Sequence, residues 1–72
     1  MRLSTRNQLP GKIVDIEKGQ AAAKVSLQVE DNHVVALITT ESVEELGLEV
    51  GQQVTALIKA TDVMMLVDEG LG

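Results

Sequence analysis

The chain has 72 residues, of which 44% are hydrophobic and none aromatic, and eleven acids against six bases give a formal net charge of −5 at pH 7. A chain this short buries only about 60% of the surface its unfolded form exposes. With no cysteine and a single histidine, disulfides and a structural metal are both excluded as supplements to its core, which leaves oligomerisation.

The same composition excludes further classes. Binders of single-stranded nucleic acid stack bases on aromatic rings in a positively charged groove, and this chain has neither. No apolar run reaches the roughly 18 residues of a membrane span. The N-terminal MRLSTRNQLPG lacks the apolar stretch of a signal peptide, so the expectation is a soluble, cytoplasmic protein.

Taken in chain order, Pro10-Gly11, Gly19-Gln20, Glu30-Asp31-Asn32, Gly47, Gly51 and Gly70 cut the sequence into short pieces, those ahead of Glu30 the length of strands. Ahead of the first apolar run stands Ser4-Thr5-Arg6-Asn7-Gln8, five consecutive side-chain donors. Lys12 to Glu17 alternates imperfectly, with Ile13, Val14 and Ile16 set against Lys12, Asp15 and Glu17. Ala23, Val25, Leu27 and Val29 alternate cleanly with Lys24, Ser26 and Gln28 and predict a half-buried strand.

His33 to Thr39 and Val54 to Ile58 are apolar on both faces, the pattern of strands covered on both faces. A small barrel covers only the inner face, so the outer face of these two strands is expected to meet another subunit. Between them, Thr40 to Leu48 carries the one helical signal: a hydroxyl cap at Thr39 or Thr40, acids in the first turn, Val43 and Leu46 three apart, and Gly47 as the stop. A last strand is predicted from Asp62 to Val67, and 68–72 reads as a frayed tail. Five short strands with a helix between the third and fourth predict an all-β, OB-like Greek-key barrel in a single domain spanning 1–72.

Enzyme chemistry finds little to work with. His33 has no Cys and no second His to pair with, so neither a metal site nor a nucleophile–base pair can be built in one chain. Glu44 and Glu45 are neighbours on a helix and point to different sides of it. The glycines form no phosphate-cradling pattern.

Three clusters at element boundaries remain: Ser4-Thr5-Arg6-Asn7-Gln8, Thr39-Thr40-Glu41-Ser42, and Lys59-Ala60-Thr61. Each has an ordinary alternative, as a terminus, a helix cap or a strand end. Together they supply hydroxyl and amide donors, backbone N–H groups and two fixed positive charges, the equipment for a small oxyanion.

The segments S-T-R-N-Q-L-P-G-K-I-V and A-L-I-T-T-E-S-V-E-E-L-G-L-E-V-G-Q-Q-V-T-A-L-I-K-A-T-D-V-M resemble the molbindins, the Mop family of small molybdate-binding proteins, also described as a TOBE-type domain. The likeness covers about residues 3 to 67. It implies an OB-like barrel that assembles as a homohexamer, a trimer of dimers, with molybdate or tungstate held between subunits. It implies contacts to the anion from Ser4 and Arg6, with Thr5 and Asn7 close by; from Thr39 and Ser42, which match the hydroxyls of an I-T-x-x-S motif; and from Lys59, Ala60 and Thr61, which match K-[AS]-[ST]. Thr5 and Pro10 depart from the alanine and lysine common in the family. Molybdate and tungstate are dianions that only accept hydrogen bonds, so a site made of donors suits all four oxygens, and Glu41 and Asp62 are left out of it. The rival expectation is an oligomerisation module in which anion binding is vestigial.

Overall fold

The computed structural model describes residues 6–68. Four strands, β1 (Asn7–Lys18), β2 (Ala22–Val29), β3 (Asn32–Thr39) and β4 (Gln53–Ile58), form one antiparallel sheet in the order β3-β2-β1-β4. A short helix, α1 (Thr40–Leu46), links β3 to β4.

β1 is longer than its sequence pattern predicts, because Pro10-Gly11 lies inside it. Proline cannot donate to a ladder and is confined to edges. Over residues 7–11 β1 has only β4 beside it, since pairing with β2 begins at Lys12 opposite Gln28, so Pro10 stands where one side of the strand is open. Gly11 has a different reason to be there. It is buried where β2 crosses, and a Cβ at this position would lie 2.7 Å from the Gln28 carbonyl oxygen and 2.8 Å from Val29 Cγ2.

The register of β1 against β2 slips between Ile13 and Asp15. The extra residue, Val14, is a bulge that bends the strand and increases its twist. It explains the imperfect alternation of this segment: Ile13 is 1% exposed whereas Val14, its neighbour in the bulge, is 42% exposed. Beyond the bulge Glu17 faces Lys24, and Lys24 Nζ lies 3.0 Å from Glu17 Oε2. The hydrogen bond to Glu17 and its charge raise the lysine pKa above the ordinary 10.5.

β2 follows its pattern, with Ala23, Val25 and Leu27 buried. With Ile13 and Val43 they complete the buried core, against which Ile16, Val29, Val34, Ile38, Leu48, Val54 and Ala56 pack. Val43 is the contribution of α1, whose limits follow the sequence signals. Thr39 is the N-cap, and Gly47 at φ 64°, ψ 41° is the left-handed C-cap, a conformation that costs glycine nothing. The Gly47 and Leu48 N–H groups donate to the carbonyls of Glu44 and Val43.

Two expectations are corrected. The barrel does not have five strands, and it is not closed: residues 60–62 form a single 3-10 turn, and 63–68 join no ladder. A strand persists only where its N–H and C=O groups find an edge, and residues 63–68 pair with none among the described residues. The predicted frayed tail lies outside the described residues, apart from Asp68. β3 and β4 are therefore the open edges of a curled sheet, and between them runs an apolar groove of about 720 Å³. The outward side chains of these strands are uncovered, with Val35 61%, Leu37 75% and Leu57 48% exposed.

Gly11→Ala is expected to destabilise the fold by about 1–3 kcal/mol, the usual cost of overpacking, because the new methyl meets β2 backbone. Chemical denaturation of wild type and variant at equal concentration checks this. An unchanged midpoint would show that β1 and β2 approach less closely than described.

Candidate functional site

Of the three donor clusters, pairing of β1 with β4 brings two together. Asn7 is opposite Ile58, so Arg6 and Lys59 are the residues that adjoin the end of that ladder. The Asn7 side chain secures the end of the ladder, its Nδ2 donating to the Ile58 carbonyl at 3.0 Å. Lys59 then opens the 3-10 turn Ala60–Asp62, with the Asp62 N–H donating to the Lys59 carbonyl at 2.9 Å. Arg6, Lys59, Ala60 and Thr61 are all exposed. Among the described residues the one ion pair is Lys24 with Glu17, so neither cation of this cluster is neutralised by a carboxylate. Ser4 and Thr5 lie outside the described residues.

The third cluster is built around the start of α1. Thr39 Oγ1 accepts from the Ser42 N–H at 3.0 Å and donates to Ser42 Oγ at 2.7 Å. These two hydroxyls cap the helix and leave the Ser42 hydroxyl proton for an outside acceptor. Thr40 has a separate task that sequence reasoning did not assign. Its Oγ1 donates to the Gly19 carbonyl at 2.8 Å and its N–H to the Ala21 carbonyl at 3.1 Å, tying the helix to the turn between β1 and β2. Its neighbour Thr39 carries the same side chain, and no local signal distinguishes the two roles.

Within one chain the Thr39–Ser42 cluster does not join the other two. Thr39 pairs with Ala22, and the next residue, Ala23, pairs with Lys18, which places the helix start at the C-terminal end of β1. Asn7 and Lys59 are at its N-terminal end. β1 has twelve residues, and at about 3.3 Å per residue its two ends are about 36 Å apart along the strand. The arrangement is thus two separate donor groups, one with two cations and an amide and one with two hydroxyls. None of the described candidate residues lines the apolar groove, and no group of three or more His, Asp or Glu that would hold a metal ion occurs among the described residues. No described helix is long and apolar enough to cross a membrane.

Loss of the cap is a direct test of this geometry. Thr39→Ala is expected to cost about 1 kcal/mol of stability and Thr39→Ser much less, read from urea denaturation. Equal loss in both variants would mean that the threonine methyl, and not the hydroxyl, is what matters.

Comparison with known proteins places the chain. The TOBE domain profile matches residues 3–65. Molybdenum-pterin-binding protein 1 of Clostridium pasteurianum is 48% identical over 67 residues, covering 92% of this chain and 98% of that protein. A molybdate-binding protein from Sporomusa ovata, known at high resolution, superposes with a TM-score of 0.90 at 40% identity, covering 93% of this chain and all of that one. The cytoplasmic molybdate-binding protein ModG, solved with molybdate bound, superposes with a TM-score of 0.79 at 41% identity over 83% of this chain and 43% of its own length. All three are described as binding proteins and none as an enzyme.

Proposed function

Because the chain belongs to the TOBE-domain family, among its Mop-type molybdenum-pterin- and molybdate-binding proteins, we propose that it binds molybdate or tungstate between copies of itself and stores or buffers the oxyanion in the cytoplasm. The whole of 1–72 is one such domain. The site residues are Ser4, Thr5, Arg6 and Asn7 from the N-terminal segment, Lys59, Ala60 and Thr61 beside them, and Thr39 and Ser42 from the helix start.

One observation carries this reading: the β1–β4 register sets Asn7 opposite Ile58, so that Arg6 and Lys59 leave the same end of that ladder, with no carboxylate among the described residues paired to either cation. Two cations beside hydroxyl and amide groups at one end of the sheet suit a ligand that accepts hydrogen bonds and donates none. The distance to Thr39 and Ser42 supports sites shared between subunits, because one chain presents the two donor groups at opposite ends of β1 and only a neighbouring copy can bring them together. A homohexamer, a trimer of dimers, is the assembly we propose. The rival, an assembly module with vestigial anion binding, draws on the fact that Thr39 and Ser42 are already engaged in capping α1.

Titration calorimetry of the anion-stripped protein with molybdate, against excess sulfate and phosphate, separates the two. Micromolar or tighter binding that resists sulfate is expected, with at least a tenfold loss in Arg6→Ala or Lys59→Ala that keeps its β-sheet circular dichroism. At a molybdate concentration 100 times Kd, stability should rise by about 2.7 kcal/mol by mass action. Full affinity in both variants would remove these residues from the site, and no heat from an intact oligomer would favour the assembly module.

A further inference from the structure

The side chain of Asn7 has work of its own at the cationic end of the sheet. Its Nδ2 donates to the Ile58 carbonyl at 3.0 Å, a half-buried bond between residues 51 positions apart. Asn7 and Ile58 are also the last pair of the β1–β4 ladder, so the bond ties the two strands where both leave the sheet. Asn7 follows Arg6, and the Ile58 carbonyl belongs to the peptide unit that carries the Lys59 nitrogen. One hydrogen bond therefore joins the backbone next to one cation to the backbone next to the other.

Two consequences bear on an anion. The first is direction. Lys59 has extended backbone, φ −63° and ψ 139°, and its side chain caps nothing in the turn that follows. The Asp62 N–H on the Lys59 carbonyl at 2.9 Å and the Val63 N–H on the Ala60 carbonyl at 3.4 Å fix the shape of that turn but not the angle at which it leaves β4. A peptide unit is rigid, so holding the Ile58 carbonyl sets the plane from which Lys59 departs. The second is the removal of acceptors, which would repel an oxyanion. The carbonyls of Ile58, Lys59 and Ala60 each receive a proton; two of these come from backbone, and only the first depends on a side chain. That side chain must be a short neutral donor. Aspartate has the same shape but no proton to give, and glutamine reaches one methylene further.

We propose that Asn7 is a positioning residue of the anion site: through the Ile58 carbonyl it sets the direction in which Lys59 and the turn Ala60–Asp62 leave β4, and its side-chain amide does not touch the anion. The inference rests on the function proposed above and deepens it, by separating the residues that contact the oxyanion from the one that holds them in place.

The test combines one structure with one variant. In crystals of the wild-type protein loaded with molybdate, Asn7 Nδ2 is expected on the Ile58 carbonyl and out of hydrogen-bond reach of every molybdate oxygen; an amide turned onto the anion overturns the proposal. Asn7→Ala, selected for wild-type size in gel filtration and wild-type β-sheet circular dichroism, is expected to bind molybdate about tenfold more weakly in titration calorimetry, the scale of one net hydrogen bond. A lower urea midpoint with full affinity would show that Asn7 only stabilises the sheet, and would overturn the proposal too. If Asn7→Ala does not fold, Asn7→Gln takes its place. Its longer arm moves the Ile58 peptide, so the same loss of affinity is expected and full affinity refutes the role. A wild type that binds no molybdate would sink the function proposed above and this role with it, whereas tight binding by wild type and variant alike would sink this inference alone.

Discussion

The bend in β1 at Val14 is the feature on which the other elements depend. Lys12, just before it, pairs with Gln28 on one side and Gln53 on the other, so a single strand serves two neighbours along different halves of its length. An extra residue in one strand strengthens the local twist, and here it curls the sheet so that its two ends turn toward each other. Without the bulge the four strands would lie in an open sheet with no inside for Ile13, Val25 and Leu27 to share. Gly11 belongs to the same device, since the crossing with β2 is too close for a side chain.

From that bend follow both the core and its insufficiency. Five buried aliphatic side chains are a small reserve against the conformational entropy of 72 residues. Half-buried residues line an unfilled groove, while uncovered ones stand on the outer faces of β3 and β4. Among the described residues nothing further is in place to cover them. The assembly proposed above would tie its stability to its concentration.

The donor clusters acquire meaning from the same geometry. An acidic chain holds an anion only where local donors outnumber acceptors, and the β1–β4 pairing, by aligning residues more than fifty positions apart, produces the place proposed for it. The helix start at the far end of β1 holds hydroxyls that cap α1 and have one proton to spare. Neither group surrounds a tetrahedral dianion by itself, which is why assembly and binding are proposed together.

Much of this was legible in the sequence. The alternation of β2, the Thr39 cap, the Gly47 stop and the position of α1 each rest on interactions between residues close in the chain, and local patterns record such interactions well. The both-face apolarity of β3 and β4 announced surfaces that one chain leaves uncovered. Pro10-Gly11 misled, because the two residues that usually end a strand here sit inside one: proline is tolerated where β1 has a single neighbour, and glycine is required where a backbone passes. The stretch from Asp62 to Val67 has the composition of a strand, and composition alone does not say whose edge it meets. Which residues favour strand, helix or turn was thus determined by the sequence by itself. Which ends of β1 the donors occupy, and that the sheet stays open with its last segment unpaired, was decided only by the tertiary structure, because register and closure depend on contacts between distant residues that no local pattern encodes.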